Sequence, residues 1–326
     1  MEKTVYITLP SKSVEQPLTA GFTLIELSIV LVIIGLIVGG ILVGQDLIKA
    51  AALRAQISQI EKFNTAANTF REKYQCLPGD CANAANFGFV ARGPNGGEGD
   101  GNGVIEGYNS VPAGDGYAEG MGETVVFWRD LSTAGLIDGG FATATSSGLP
   151  LGGTFSGTSL NLYFPQAKVG GDNYIYVYSG GMSTSGSGGS GAGTNNGLNY
   201  FGISAITGIT SGYNMVSSPG LNVAQAQNID NKIDDGLPQS GTVTAAFNFN
   251  HRVVWVAGGG GYGASGSPNG AGNPSTAATP GSTTTCYDNS TAAGGSPGVA
   301  GATQHYSMEM NSGSNTDCAL SFKAQF

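Results

Sequence analysis

The sequence has few charged and few catalytic side chains. Only 11% of its 326 residues are charged, and His251 and His305 are its only histidines. Neither histidine lies near a cysteine, and no nucleophile motif or metal-ligand spacing surrounds them. The sequence therefore predicts that the chain is not an enzyme and holds no zinc module.

Clusters of basic residues are missing as well. The chain has 13 Lys and Arg against 22 Asp and Glu, a net charge of −9 and a pI near 4.6. Nucleic-acid-binding proteins need a concentrated basic surface to neutralise phosphates. We therefore expect no nucleic-acid partner.

One long segment near the N-terminus has no charge at all. Leu27 to Gly44 are eighteen residues, with Ser28 the only ordinary polar side chain. A helix of this length can cross the hydrocarbon core of a membrane. Glu26 stands at its head, where burying an ionised carboxylate in lipid is costly unless the charge is paired. A simple anchor helix has no need of an acidic residue there, so Glu26 indicates a function.

Helix-breaking residues are absent from the stretch that follows. There is no proline between Phe22 and Pro78 and no glycine between Gly44 and Gly79. This predicts one α-helix over residues 22–74, roughly 80 Å long at its full extent. Its outer part, 45–74, is amphipathic, because apolar residues recur at steps of three and four: Leu53, Ile57, Ile60, Phe63, Ala67, Phe70 and Tyr74.

The start of this helix resembles a known signature. Gly21-Phe22-Thr23-Leu24-Ile25-Glu26, followed by the apolar run, is similar to the N-terminus of type IV prepilins and type II secretion pseudopilins. The resemblance implies that a prepilin peptidase cuts between Gly21 and Phe22 and methylates the new N-terminal Phe22. It also implies that the amino group of Phe22 pairs with Glu26 of a neighbouring subunit and so sets the register between copies.

The resemblance implies a domain order, partners and a location. Residues 1–21 would be the leader, 22–44 the transmembrane segment and filament core, 45–74 the amphipathic half and 75–326 the globular domain. The partners would be the prepilin peptidase/methyltransferase, identical or related pilin subunits, and an inner-membrane assembly platform with an ATPase motor. The chain would cross the inner membrane once before assembly. Afterwards it would lie in an extracellular pilus or a periplasmic pseudopilus.

Three functions remain open at this point. The first is a structural subunit of a type IV pilus-like filament, which the large Gly/Ser-rich loops favour. The second is a pseudopilin of a type II secretion system, which shares every N-terminal residue. The third is a membrane-anchored surface binding protein that never polymerises and would retain Gly21.

The expected fold class is α+β. The pattern predicts a second helix over Glu123–Ile137 and a third over Leu221–Ile233. Predicted strands are Leu160–Pro165, Tyr174–Tyr178, Tyr200–Ile206, Thr242–Phe249 and Arg252–Val256. Gly180–Gly197 and Gly258–Ser282 are too rich in Gly and Ser to form a core and are predicted loops. This order resembles the pilin architecture, in which an antiparallel sheet packs against the long helix.

Four cysteines are an even number in a segment expected beyond the inner membrane, where disulfides persist. Three pairings are open. The intervening Leu-Pro-Gly-Asp is a turn-forming sequence, which favours Cys76 with Cys81 and therefore Cys286 with Cys318.

Two acidic groups are candidate calcium sites. Asp100, Asn102, Glu106 and the carbonyl of Val104 offer hard oxygen ligands at alternating positions, and calcium is also found in some pseudopilins. The alternative, which we prefer, is a solvated Asp-Gly/Asn-Gly turn. The second group is Asp230, Asp234 and Asp235. The preferred alternative there is a helix end closed by Gly236, with solvated carboxylates.

Overall fold

The computed structural model describes residues 21, 23–94, 97–107, 121–146, 156–179, 197–210, 215–238, 240–249, 252–256, 286–288, 305–308 and 311–326. Phe22, His251, almost all of the predicted leader and nearly all of the two predicted Gly/Ser-rich loops lie outside these residues. The chain forms two units, Met1–Ile48 and Lys49–Phe326.

Two helices come first along the chain, and a third helix lies among the strands that follow. In chain order they are α1 (Leu24–Tyr74), α2 (Glu123–Thr133), β1 (Asn173–Ser179), β2 (Asn199–Ile209), β3 (Met215–Ser218), α3 (Val223–Ile233), β4 (Val243–Thr244), β5 (Ala246–Phe249), β6 (Arg252–Trp255), β7 (Tyr287–Asp288), β8 (His305–Tyr306) and β9 (Leu320–Lys323). Short 3-10 helices cover Ala84–Phe87, Gly157–Leu162 and Asn311–Gly313.

In the first unit, α1 presents apolar side chains on every side. Seventeen large apolar residues between Leu24 and Ile48 are 49–89% exposed. Within the described residues, α1 is the one helix long and apolar enough to span a membrane. A single membrane-spanning helix near the N-terminus is therefore consistent with the structure.

In the second unit, α1 is amphipathic, as the spacing predicts. Its buried residues are Leu53, Gln56, Ile60, Phe63, Ala66, Ala67 and Phe70. The Phe63 ring lies 4.9 Å from Trp128 of α2 and 6.1 Å from Phe201 of β2, measured between ring centroids. This stripe of α1 therefore belongs to the hydrophobic core formed by the helices and the sheet.

The main sheet is antiparallel. Its strand order is β1-β2-β9-β4, and β3 also pairs with β2. Two further two-stranded sheets are formed by β5 with β6 and by β7 with β8. Together with the three helices this confirms the α+β class.

The predicted strand over Leu160–Pro165 is wrong, since the chain forms a 3-10 helix up to Leu162 there. Leu160, Tyr163 and Phe164 are each 1% exposed, whereas Leu162 is 44% exposed. Burial at steps of three and four suits a helical turn and does not suit a strand, whose faces alternate. The aromatic content of the segment was therefore a misleading indicator.

Two other predicted boundaries shift. The second helix ends at Thr133 and not at Ile137, because Gly135 adopts φ +69° and the N–H of Leu136 reaches the carbonyl of Leu131. The strand predicted over Thr242–Phe249 divides at Ala245 into β4 and β5. The N–H of Ala245 donates to the carbonyl of Pro238 at 2.6 Å, and its carbonyl accepts the N–H of Val256 at 2.9 Å, beside the pairing of β5 with β6.

Both expected disulfides are present. Cys76 pairs with Cys81 at a Cα separation of 5.1 Å, and Cys286 pairs with Cys318 at 5.0 Å. The first closes a tight turn directly after α1. The second joins Cys286, directly before β7, to Cys318, two residues before β9.

Candidate functional site

The N-terminus of α1 is closed by a reciprocal cap. The backbone N–H and the hydroxyl of Thr23 both donate to Oε2 of Glu26 at 2.8 Å. In return, the N–H of Glu26 donates to the Thr23 hydroxyl oxygen at 3.3 Å. This is the Thr-x-x-Glu capping box, which satisfies N–H groups that the first helical turn leaves without partners.

This cap corrects one step of the sequence argument. Even a simple anchor helix has a use for Glu26, because the carboxylate completes the first turn. Gly21 is exposed, and Phe22 lies outside the described residues. Cleavage after Gly21, methylation of Phe22 and pairing of Phe22 with Glu26 therefore stay predictions.

The first predicted calcium loop is a compact turn. We call residues 97–107 the acidic loop. Within it, the side-chain amide of Asn102 donates to Asp100 at 3.2 Å and to Glu106 at 3.3 Å, and its oxygen accepts the N–H of Val104 at 2.9 Å. Glu106 is fully buried. The solvated-turn alternative therefore fits Asp100 and Asn102, which are exposed, but not Glu106.

The fold brings a different set of carboxylates together. Asp100 meets Asp80 and Glu123, and one carboxylate oxygen from each lies within 4.8 Å of the others. Asp80 comes from the turn inside the Cys76–Cys81 disulfide, and Glu123 is the first residue of α2. Neither Asp80 nor Glu123 is among the ligands predicted for the acidic loop, whereas Asp100 is.

Backbone donors hold two of these carboxylates. Asp80 accepts the N–H groups of Gly101 at 2.6 Å and Gly103 at 2.7 Å. Glu123 accepts the N–H groups of Gly99 at 2.8 Å and Glu106 at 2.9 Å. Two acidic side chains from outside the acidic loop thus organise its backbone.

Burial disfavours the ionised form of both carboxylates, Asp80 and Glu123. Asp80 is 2% exposed and Glu123 is fully buried. Burial raises the pKa of Asp80 to about 7, against the hydrogen bonds from Gly103 and Gly101, which lower it. Burial, and then the charge of Asp80, raise the pKa of Glu123 well above its usual range.

The second acidic group closes a turn. Asp230, Asp234 and Asp235 also bring carboxylate oxygens within 4.8 Å of one another. Asp234 accepts the N–H of Val243 at 3.1 Å, and Asp235 accepts the N–H of Leu237 at 2.8 Å. These bonds fit the helix-end alternative.

Asp230 departs from that alternative because its side chain is fully buried and not solvated. It accepts the hydroxyl of Tyr306 at 2.8 Å and the N–H of Gly236 at 3.2 Å. Burial raises its pKa to about 7, and the two hydrogen bonds lower it. Asp230 therefore ties the end of α3 to β8.

The donor set around Asp80 suits a hard divalent cation. Calcium prefers carboxylate and carbonyl oxygens, and a cation would offset the repulsion among Asp80, Asp100 and Glu123. The same residues also have a purely structural account, since backbone N–H groups already occupy Asp80 and Glu123. Calcium at the acidic loop stays a prediction.

Comparison with protein-family models, with curated proteins and with solved structures found no match. The class of protein that the structure defines is an α+β chain with two disulfides and one N-terminal helix able to span a membrane.

The raised pKa values predict that stability decreases as the pH rises. Between about 4, the usual pKa of an aspartate, and about 7, the folded chain holds protons at Asp80 and Asp230 that the unfolded chain releases. The free energy of unfolding therefore falls across this window. We expect a melting temperature several degrees higher near pH 5 than near pH 8, measured by circular dichroism on the full chain in detergent.

Asp80→Asn should reduce this pH dependence and leave the contribution of Asp230, whereas Asp138→Asn at an exposed position should not change it. If calcium binds the acidic loop, it should raise the melting temperature near pH 8 in the parent chain but not in Asp80→Asn, and a chelator should reverse the rise. No response to calcium would remove the metal interpretation. A melting temperature that increases from pH 5 to pH 8 would contradict the assigned burial.

Proposed function

We propose that the chain is a structural subunit of a type IV pilus-like filament, made as a prepilin and assembled through α1. In this proposal a prepilin peptidase/methyltransferase removes residues 1–21 and methylates Phe22. The trimmed chain waits in the inner membrane as a single-pass protein. An assembly platform with a separate ATPase motor then adds it to a growing fibre of identical or related subunits.

The observation that carries the proposal is the exposed apolar surface of α1. Seventeen large apolar side chains between Leu24 and Ile48 are 49–89% exposed. A surface of this extent is not stable in water. A bilayer covers it before assembly, and the same segment of neighbouring copies covers it afterwards.

Glu26 supplies a second support. Among the described residues, the two donors to its carboxylate both reach Oε2, and Oε1 accepts no hydrogen bond. The capping box therefore fixes the direction of the side chain and leaves one oxygen as an acceptor. In the filament this oxygen would accept the amino group of Phe22 from a neighbouring copy.

The globular unit supports a pilin-like arrangement. One stripe of α1, from Leu53 to Phe70, packs into a core shared with an antiparallel sheet. The opposite face carries exposed polar residues such as Arg54, Glu61 and Lys62. Because this stripe of α1 is part of the core of the globular unit, the unit would stay packed on the helix when the apolar half enters a filament.

The N-terminus of the mature protein tests this function. We expect N-terminal sequencing and mass spectrometry to find methylated Phe22 as the first residue, and Gly21 retained in cells that lack the peptidase. Electron microscopy of sheared surface fibres should show the protein in them. Retained Gly21 without any fibre would contradict the proposal and favour a membrane-anchored binding protein. Short periplasmic assemblies with processed Phe22 would instead indicate a secretion pseudopilin.

A further inference from the structure

We propose that the Cys76–Cys81 disulfide is a redox-sensitive clamp that fixes the acidic loop and releases it when a dithiol reduces the bond. The clamp acts through the four residues that the disulfide encloses, 77–80, all of which are buried. It does not depend on filament assembly, so its failure and the failure of the proposed function can be told apart.

The enclosed turn docks on two elements at once. The N–H of Gly79 donates to Asp130 of α2 at 2.8 Å. Asp80, the next residue, accepts the N–H groups of Gly101 and Gly103 in the acidic loop. The turn therefore connects the end of α1, the body of α2 and the acidic loop.

The conformation of this turn is demanding. Gly79 has φ +86°, and a Cβ at this position would lie 2.6 Å from the carbonyl oxygen of Glu123. Only glycine fits this close approach at positive φ. A disulfide between cysteines five positions apart stabilises a turn as compact as this one. The disulfide therefore helps to fix the placement of Asp80, which lies inside the closed turn.

The two disulfides differ in accessibility. Cys76 is partly exposed and Cys81 is 2% exposed, whereas Cys286 and Cys318 are both fully buried. Cys318 is also held by two backbone hydrogen bonds to Leu221, at 2.8 and 2.9 Å. Thiol–disulfide exchange requires a thiolate to reach a sulfur atom, so the exposed bond is attacked first.

The two disulfides differ in their effect on the unfolded chain as well. Cys76 and Cys81 are 5 residues apart, and Cys286 and Cys318 are 32 apart. A short loop removes less chain entropy from the unfolded state than a long one. Opening Cys76–Cys81 should therefore lower the free energy of unfolding less than opening Cys286–Cys318 does. A local clamp requires this, because the rest of the fold has to stay intact when the clamp opens.

The reduction is a two-electron exchange. One thiolate of the dithiol attacks Sγ of Cys76, the sulfur–sulfur bond breaks, and Cys81 leaves as a thiolate. The second thiol of the reductant then displaces Cys76 from the mixed disulfide. The reductant ends as its own disulfide, and the two protons end on Cys76 and Cys81.

Graded reduction of the full chain in detergent tests the clamp. Dithiothreitol is titrated, free thiols are trapped with iodoacetamide, and hydrogen exchange is followed by mass spectrometry. We expect Cys76 and Cys81 to be labelled at a lower reductant concentration than Cys286 and Cys318. In that state the peptide 97–107 should exchange about tenfold faster, because the hydrogen bonds to Asp80 open, while β1 keeps its rate.

Paired variants provide the control. Cys76→Ser/Cys81→Ser should reproduce the faster exchange of peptide 97–107 without reductant, and Cys286→Ser/Cys318→Ser should not accelerate that peptide selectively. Simultaneous reduction of both disulfides would overturn the proposal. So would unchanged exchange of the acidic loop after Cys76 and Cys81 are labelled, or global unfolding of the parent chain at that stage.

Discussion

Replacing Glu26 with Ala is expected to abolish fibres while membrane insertion and removal of the leader continue. Insertion depends on the apolar run, and cleavage depends on Gly21 and Phe22, so neither step needs the carboxylate. Assembly does need it, because an amino group left unpaired in an apolar filament core costs about 3–5 kcal/mol. A loss of this size corresponds to at least about a hundredfold weaker incorporation.

Glu26→Gln separates the two roles of this residue. Glutamine still completes a capping box with Thr23, but it carries no charge to pair with an ammonium group. We expect Glu26→Gln to fail in assembly like Glu26→Ala. Thr23→Ser keeps the hydroxyl donor and should assemble normally.

Fibre yield, membrane content and processing are measured together by immunoblot of sheared and cell-bound fractions. Ser28→Ala is a matched control in the same segment, since its hydroxyl donates within the helix to the carbonyl of Ile25 at 2.8 Å. Normal fibres from Glu26→Gln would show that Glu26 serves only as a helix cap. The charge-pairing account would then be wrong.

Replacing Asp130 with Ala is expected to cause a large loss of stability in the globular unit. Arg92 contacts Asp130 at 2.5 Å, and their side chains are 5% and 1% exposed. Asp130 also accepts the N–H of Gly79. Removing the carboxylate leaves a buried guanidinium and a buried N–H without their partner, which should cost about 3–5 kcal/mol of unfolding free energy.

A double-mutant cycle identifies the cause of this loss. Arg92→Met with Asp130→Ala should be more stable than Asp130→Ala alone, because the unpaired cation is gone. Asp138→Ala removes the same charge at an exposed position and should change stability by less than about 0.5 kcal/mol. Urea unfolding followed by near-ultraviolet circular dichroism measures the parent, Arg92→Met, Asp130→Ala, the double variant and the Asp138→Ala control. A double variant no more stable than Asp130→Ala would contradict the role of the pair.

Local patterns were sufficient to predict the helices. The charge-free run and the apolar steps of three and four define α1 to within two residues at its start. The central strand β9 was missed because Leu320–Lys323 has only four residues, too few to establish a period. Its position between β2 and β4 depends on pairing with strands far away in the chain.

The candidate sites show the same limit. Asp100 could be chosen from its own loop, but its neighbours Asp80 and Glu123 come from other elements, and only the fold brings them together. Their local signals were an acidic residue inside a disulfide turn and an acidic residue at the start of α2. The capping box was readable as Thr-x-x-Glu, but the apolar run behind it directed the interpretation to the membrane.

The charge pairing of Glu26 is tested most directly by a map of the assembled fibre at side-chain resolution. The account predicts that the carboxylate of Glu26 lies within about 4 Å of the amino nitrogen of Phe22 in a neighbouring copy, while Thr23 of its own chain still contacts it. A fibre in which Glu26 contacts only its own Thr23, with the amino group of Phe22 elsewhere, would contradict the account.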